Sequence, residues 1–391
     1  MNKPGVLMVT GAYYPELSGA GLQCRALVRQ LRDAVSFTVL TTTIDPALPG
    51  TDERDGVPVH RVFVNPQSPW SKIAAAWQTS RMLLRARARY SILHLHGFSQ
   101  KSLLVVIVGL LLGKRIAIKL TSVGHDDPQA IRARGRLAYW CYTRARLFFG
   151  VSPRLQALYA ASGLPAERFR LIPNGVDLER FRPASLEERR VLRAELGLPV
   201  ESAVVLFVGF FSREKCPDLL FEAWSRVAGS GDASSVLVFV GATRSRYYEV
   251  DERLAAGIRA GAARLGLDSR LFFVEETREI EKYQRAADIF VLPSVREGLP
   301  NALLEAMACG TGCIATRLDG VTDTLIAHDD SGLLVPARDG AALEAALARL
   351  LSHPELARTF GECARQRIAR DFSMADTAGQ YLAAYKELLA P

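Results

Sequence analysis

Short apolar runs alternate with longer stretches of helical spacing along most of the chain. In the first half the runs Val6–Thr10, Phe37–Thr41, Val59–Val64, Ile92–His96, Arg115–Thr121, Leu147–Val151 and Phe169–Ile172 read as strands. In the second half Val204–Val208, Val236–Val240, Leu271–Val274, Ile289–Leu292 and Cys313–Thr316 do the same. Runs that are apolar at nearly every position fit strands covered on both faces. Between them Leu22–Leu31, Leu155–Ala161, Leu219–Val227 and Ala342–Leu351 carry helical spacing. Strand–helix alternation predicts right-handed β-α-β units and parallel sheets, an α/β fold. The rhythm breaks between residues 176 and 200, a charged stretch bracketed by Pro183 and Pro199, and begins again at Ala203–Gly209. A crossing between two lobes is expected there. Met374–Leu389 reads as one more amphipathic helix. The expected division is residues 1–180, residues 181–372, and a helix over 373–391 that packs back toward the first lobe. Two doubly wound lobes carry ligand crevices at the C-terminal ends of their strands, so a cleft between lobes is the expected site.

The length of 391 residues suits two domains, and 49% apolar with 23% charged residues is a globular balance. The longest apolar stretch, Leu103–Leu112, is far short of the about 20 residues that span a bilayer. It predicts a buried helix, with an interfacial helix as the alternative. The early run Val6–Val9 passes at once into polar residues, as a first strand does and a targeting segment does not. A cytoplasmic location is therefore expected. Six cysteines without a C-x-x-C pair read as reduced thiols. Charge is uneven: residues 1–180 hold 24 Lys and Arg against 11 Asp and Glu, the remainder 25 against 30. A basic first lobe suits an anionic acceptor or the inner, anionic face of a membrane. Nucleic acid is not expected, because no groove-reading motif accompanies the charge.

Five segments carry candidate chemistry. Ser294-Val-Arg-Glu-Gly-Leu-Pro-Asn-Ala-Leu-Leu-Glu-Ala-Met-Ala-Cys-Gly310 follows a strand and opens a helix, with Pro300 in its first turn and Gly310 as its cap. The free N–H groups and positive dipole end of such a helix favour a phosphate, and Glu297 and Glu305 can accept hydrogen bonds from sugar hydroxyls. Val208-Gly-Phe-Phe-Ser-Arg-Glu-Lys-Cys-Pro-Asp218 places Gly209 at a strand end and Lys215 where it can neutralise a diphosphate. Tyr13-Tyr-Pro-Glu-Leu-Ser-Gly-Ala-Gly21 brings Gly19 and Gly21 before a helix. Lys119-Leu-Thr-Ser-Val-Gly-His-Asp-Asp127 offers His125, with Asp126 as the alternative; His94 and His96 share one strand face, either packed or bordering the cleft. Leu171-Ile-Pro-Asn-Gly-Val-Asp-Leu-Glu-Arg-Phe-Arg-Pro183 carries the Asn174-Gly175 turn. The acidic pairs Asp126-Asp127 and Asp329-Asp330 lack a metal-binding arrangement.

The spacing of Glu297 and Glu305, within E-G-L-P-N-A-L-L-E, resembles the E-x7-E signature of retaining GT-B glycosyltransferases, family 4. The I-P-N-G-V-D stretch is similar to the motif that closes the first lobe in that superfamily. The resemblance implies GT-B architecture: two Rossmann-like lobes facing across a cleft, the first binding the acceptor and the second the nucleotide sugar. It implies that Glu297 holds the donor sugar, that Glu305 holds the ribose, and that the backbone near Gly298, Leu299 and Asn301 surrounds the diphosphate. Lys215 matches the family lysine. Phe210 stands where the family has a phosphate-binding Arg, so Arg213 is the candidate to supply that charge. His125, Glu297 and Lys215 are the implied catalytic residues; Gly19, Gly21 and Gly209 complete the donor loops. Asp323, in Gly320-Val-Thr-Asp-Thr-Leu-Ile, replaces a family Glu. The implied reaction moves a hexose-type sugar from a nucleoside diphosphate, UDP more than GDP, to a glycan, lipid-linked or small-molecule acceptor, with retention and without metal or cofactor. The alternatives are a nucleotide-sugar 2-epimerase and a non-catalytic protein that binds nucleotide sugars or glycolipids.

Overall fold

The computed structural model describes residues 3–16, 18–230, 234–243, 250–275 and 277–390. In chain order the first part runs β1 (Gly5–Thr10), α1 (Gly19–Leu31), β2 (Ser36–Thr43), β3 (Thr51–Arg54), β4 (Val57–Phe63), α2 (Pro69–Arg85), β5 (Ile92–His96), α3 (Gln100–Leu111), β6 (Arg115–Leu120), α4 (Pro128–Ala133), α5 (Arg136–Thr143), β7 (Leu147–Gly150), α6 (Pro153–Ala160) and β8 (Phe169–Leu171). Its eight strands form one sheet in the order β3-β4-β2-β1-β5-β6-β7-β8. All neighbours are parallel except β3 and β4, an antiparallel hairpin. Asp55 and Gly56 turn that hairpin with φ of 53° and 77°, the left-handed pair that a two-residue hairpin requires.

The second part runs α7 (Leu186–Glu195), β9 (Ala203–Val208), α8 (Pro217–Gly229), β10 (Ser235–Val240), α9 (Glu252–Leu265), β11 (Leu271–Val274), α10 (Ile280–Ala286), β12 (Ile289–Leu292), α11 (Asn301–Ala308), β13 (Gly312–Thr316), β14 (Leu333–Val335), α12 (Gly340–Ser352) and α13 (Pro354–Asp371). Its six strands are all parallel, in the order β11-β10-β9-β12-β13-β14. This is the doubly wound order, with its topological switch between β9 and β12. Trp224 of α8, with Phe207, Phe211 and Phe239, fills the core on one face.

The last helix, α14 (Met374–Leu389), belongs to the first compact unit, which comprises Met1–Gly175 and Met374–Pro391; Val176–Ser373 is the second. The division thus falls after Gly175, five residues before the expected one. The segment just beyond is tied into the second unit: the Val176 N–H donates to the Phe372 carbonyl at 2.9 Å, and Arg180 pairs with Glu281 at 2.6 Å. Helix α14 packs on α1 and sends Tyr381 and Tyr385 into a core with Val6, Met8 and Phe149. A Cβ on Gly175 would lie 2.6 Å from the Met374 Cα, so a glycine there lets the start of α14 come close. The charged stretch 176–200 holds a helix of its own, α7, begun by a capping box between Ser185 and Glu188.

Candidate active site

In the second unit the loops after β9 and β12 leave the sheet side by side, at the switch where a doubly wound sheet opens its crevice. Three contacts join them. The Val295 N–H donates to the Glu214 carbonyl at 2.8 Å; Arg296 forms an ion pair with Glu214; and Lys215 Nζ donates to Glu297 Oε1 at 2.6 Å. The sequence segments that carry Lys215 and Glu297 therefore meet, with the ammonium partly open to solvent and the carboxylate nearly buried. Cys216, in left-handed conformation with φ 48°, turns the chain into α8 directly after Lys215, and Pro217 opens that helix. Gly209 lies at the end of β9, where its N–H donates to the Val240 carbonyl at 2.9 Å.

Helix α11 begins at Asn301, with Pro300 as its N-cap and Gly310, at φ 70°, just past its end. Gly298, Leu299 and Asn301 therefore lie at the mouth of the helix that follows Glu297. Glu305 stands one turn inside. Its carboxyl makes no hydrogen bond among the described residues, and burial pushes it up to about 8, with Arg180 opposing the shift and Glu281 adding to it. A half-buried carboxyl without a hydrogen-bond partner is a ready acceptor for ligand hydroxyls.

Arg213 does not join this group. Its guanidinium pairs with Asp251, the N-cap of α9, at 3.2 Å and is 81% exposed. The substitute charge expected for Phe210 is thus committed to an acidic partner. Phe211, next to Phe210, is wholly buried against Phe207, Phe239 and Phe273. Asp323 caps its own turn by accepting from the Val321 N–H at 3.1 Å.

In the first unit Ser18 caps α1 and accepts from the Gly21 N–H at 3.0 Å. A Cβ on Gly21 would collide with the Ala12 carbonyl. Gly21 therefore serves the close approach of α1 to the β1 loop, and its N–H is not offered to a ligand. Gly19, exposed, opens the helix. His125 sits half-buried in the turn after β6. Asp126 and Asp127 staple that turn: Asp126 accepts from the Phe98 N–H at 2.8 Å and the Thr121 hydroxyl at 2.5 Å, and Asp127 from the Ala130 N–H at 3.0 Å. Asp126 is thus a loop anchor rather than a substitute for His125. His94 and His96 are packed: both are buried, and His94 Nδ1 lies 2.7 Å from the Tyr385 hydroxyl. Burial and the nearby Lys119 hold both imidazoles well below their usual range. Among the described residues no cluster of three or more His, Cys, Asp or Glu is arranged to hold a metal.

Two family models cover most of the chain. One, described as glycosyl transferases group 1, matches residues 188–367, and a second, described as a glycosyl transferase 4-like domain, matches residues 18–175. The chain belongs to the group 1 glycosyltransferases. A curated relative, D-inositol 3-phosphate glycosyltransferase 2 of Catenulispora acidiphila, is 29% identical over 96% of this chain and 92% of its own. Among solved structures, HepE of Anabaena in complex with UDP and glucose aligns with TM-score 0.79 at 18% identity, covering 98% of this chain and 99% of that one. Sucrose-phosphate synthase of Thermosynechococcus elongatus aligns with TM-score 0.79 at 24% identity over 99% of each. These likenesses give the glycosyltransferase the GT-B fold.

Several residues of this glycosyltransferase escaped the sequence reading. Arg180 and Glu281, whose charges act on Glu305, lie 101 residues apart in the chain, and only the first is in one of the motifs. Ser294, at the end of β12, is buried with no hydrogen-bond partner for its hydroxyl among the described residues. In the first unit Lys101, at the start of α3, donates to the Thr10 carbonyl and to Thr42 Oγ1, and burial pushes its ammonium down to about 8. A single Lys in a Ser-Gln-Lys-Ser run gives no sign of this.

Proposed function

We propose that this glycosyltransferase moves a hexose-type sugar from a nucleoside diphosphate, UDP in preference to GDP, to a glycan, lipid-linked or small-molecule acceptor with retention at the anomeric carbon. The observation that carries the reading is the Lys215–Glu297 contact of 2.6 Å at the joined ends of β9 and β12. A diphosphate competes with Glu297 for the Lys215 ammonium, and the mouth of α11 supplies N–H donors of the right sign. Glu297, released from the lysine, then accepts from donor-sugar hydroxyls, while Glu305 accepts from the ribose. The growing negative charge of the departing diphosphate is stabilised by the same lysine and helix end. The departing phosphate oxygen takes the acceptor proton on the face it leaves, which gives retention without a covalent enzyme intermediate. His125 is assigned to the acceptor or sugar on the first unit. The presence of UDP in the HepE complexes supports uracil as the base. The inositol 3-phosphate in the names of several relatives and the basic first half both favour a phosphate-bearing acceptor.

A thermal-shift panel with UDP, GDP and ADP tests this. A ligand bound only by the folded state raises the melting temperature. The expected result is a rise with UDP that Glu305→Ala abolishes. No rise with any nucleotide at millimolar concentration would sink the assignment of the site.

A further inference from the structure

Three of the four tryptophans lie on the surface of the first unit: Trp70 is 80% exposed, Trp77 61% and Trp140 44%. The reaction proposed above uses none of them. On α2, Trp70, Ile73, Trp77 and Leu84 follow helical spacing and form one outward stripe. The buried residues Ala75, Thr79 and Leu83 occupy the opposite side of the helix. On α5, Leu137 and Trp140 form a second outward pair, with Ala138, Cys141 and Tyr142 turned inward.

Helix α3 packs against both α2 and α5. It is apolar on every side from Leu103 to Leu112, yet Leu103, Leu104, Ile107 and Leu110 are only partly covered, and Leu111 is 82% exposed. A helix that is apolar all round belongs in a core or in lipid. Here its outer side is left between two tryptophan-bearing neighbours. The three packed helices therefore carry neighbouring exposed apolar residues, Trp70, Ile73, Trp77 and Leu84 on α2, Leu111 on α3, and Leu137 and Trp140 on α5.

The charge around this surface decides what fits it. Between Asp55 and Glu167 the only carboxylates are Asp126 and Asp127, both buried and committed to the β6 loop. The same span holds sixteen Lys and Arg. Arg81 stacks on Trp77 and Arg144 on Trp140, at 5.1 and 4.8 Å from the ring centroids, each four residues beyond its tryptophan. Tryptophan with guanidinium over its ring, beside exposed leucine and isoleucine, is the composition of helices that lie in the headgroup region of a bilayer. A second copy of the chain would set this cationic surface against itself, with no carboxylate to compensate.

We propose that the α2–α3–α5 surface of the first unit docks flat on an anionic lipid bilayer. The apolar stripe enters the headgroup boundary and the arginines meet lipid phosphates. The surface stands on its own residues and does not depend on which sugar or acceptor the enzyme uses.

Co-sedimentation with vesicles of phosphatidylcholine containing about 30% phosphatidylglycerol, against vesicles of phosphatidylcholine alone, tests it. The parent should partition into the anionic vesicles and show quenching of tryptophan emission by brominated acyl chains. Trp70→Ser/Trp77→Ser should lower the partition coefficient by about 10-fold or more, Trp70→Phe/Trp77→Phe should retain most of it, and Arg81→Glu/Arg144→Glu should abolish the preference for anionic lipid. Unchanged melting temperature and unchanged nucleotide shift in each variant separate loss of docking from loss of fold or donor binding. Partition that survives the Trp→Ser pair, binding to anionic vesicles without acyl-chain quenching, or a dimer in light scattering that the Trp→Ser pair dissociates would each overturn the proposal.

Discussion

Glu305 makes the sharpest demand on a single side chain. Its carboxyl is held up to about 8 in the folded protein against 4.5 for a free glutamate. The unfolded chain ionises first, so the contribution of this group to stability is fullest below about pH 4.5, declines as pH rises, and has gone above about pH 8. Glu305→Gln removes that dependence. Its stability relative to the parent, read by thermal melting, should therefore improve from about pH 5 to about pH 8, by on the order of 2 kcal/mol. Ribose hydroxyls that donate to the carboxylate favour its ionised form. Nucleotide binding near pH 7 should then release a proton, detectable by calorimetry in buffers of different ionisation enthalpy, and Glu305→Gln should release none. The neighbouring pair predicts a separation of effects. Glu297→Gln weakens the hold on Lys215, so nucleoside diphosphate affinity should hold or rise while turnover falls by about 100-fold or more. Lys215→Ala should instead lower nucleotide affinity by about 10- to 100-fold, as expected for a lost charged hydrogen bond. Calorimetric titration with UDP and steady-state turnover distinguish the two.

At the scale of elements, the long apolar runs needed no structure to be found. Ile92–His96, Leu271–Val274 and Ile289–Leu292 begin and end where periodicity placed them. The strands that escaped, β3 and β14, have plain physical reasons. Thr51–Arg54 is a polar edge strand whose register comes from the Asp55-Gly56 turn and not from burial. Leu333–Val335 is three residues long, too short for any period to show. In the candidate site, the spacing of Glu297 and Glu305 was legible because one segment carries both. It was not legible where pairing is made by the fold: Glu214 with Arg296, Arg180 beside Glu305, or Asp251 drawing Arg213 away. Gly241 shows the same limit. Its φ of 148° and the Gly209 carbonyl against the place of its missing Cβ bind two loop ends together. Gly241→Ala should cost about 2–4 kcal/mol by thermal melting and should move the Gly209 loop enough to reduce the UDP shift.

At the scale of the molecule, each compact unit carries its own sheet and core, and the second is continuous in sequence. A fragment of residues 176–373 should therefore fold alone and keep a UDP-induced rise in melting temperature, read by calorimetry. Removing residues 374–391 should do the reverse. It strips Tyr381 and Tyr385 from the first core and leaves the His94 imidazole without the Tyr385 hydroxyl, so the first unit should melt early while the second does not. The order of synthesis adds a consequence. The ribosome makes β1 to β8 first, but the helix that closes their core is translated only after the whole of Val176–Ser373. Domains usually mature in the order in which they emerge. Here the later-made unit can reach its native state while the earlier one still waits with an apolar face uncovered, and that interval is when a nascent chain of this design most needs a chaperone.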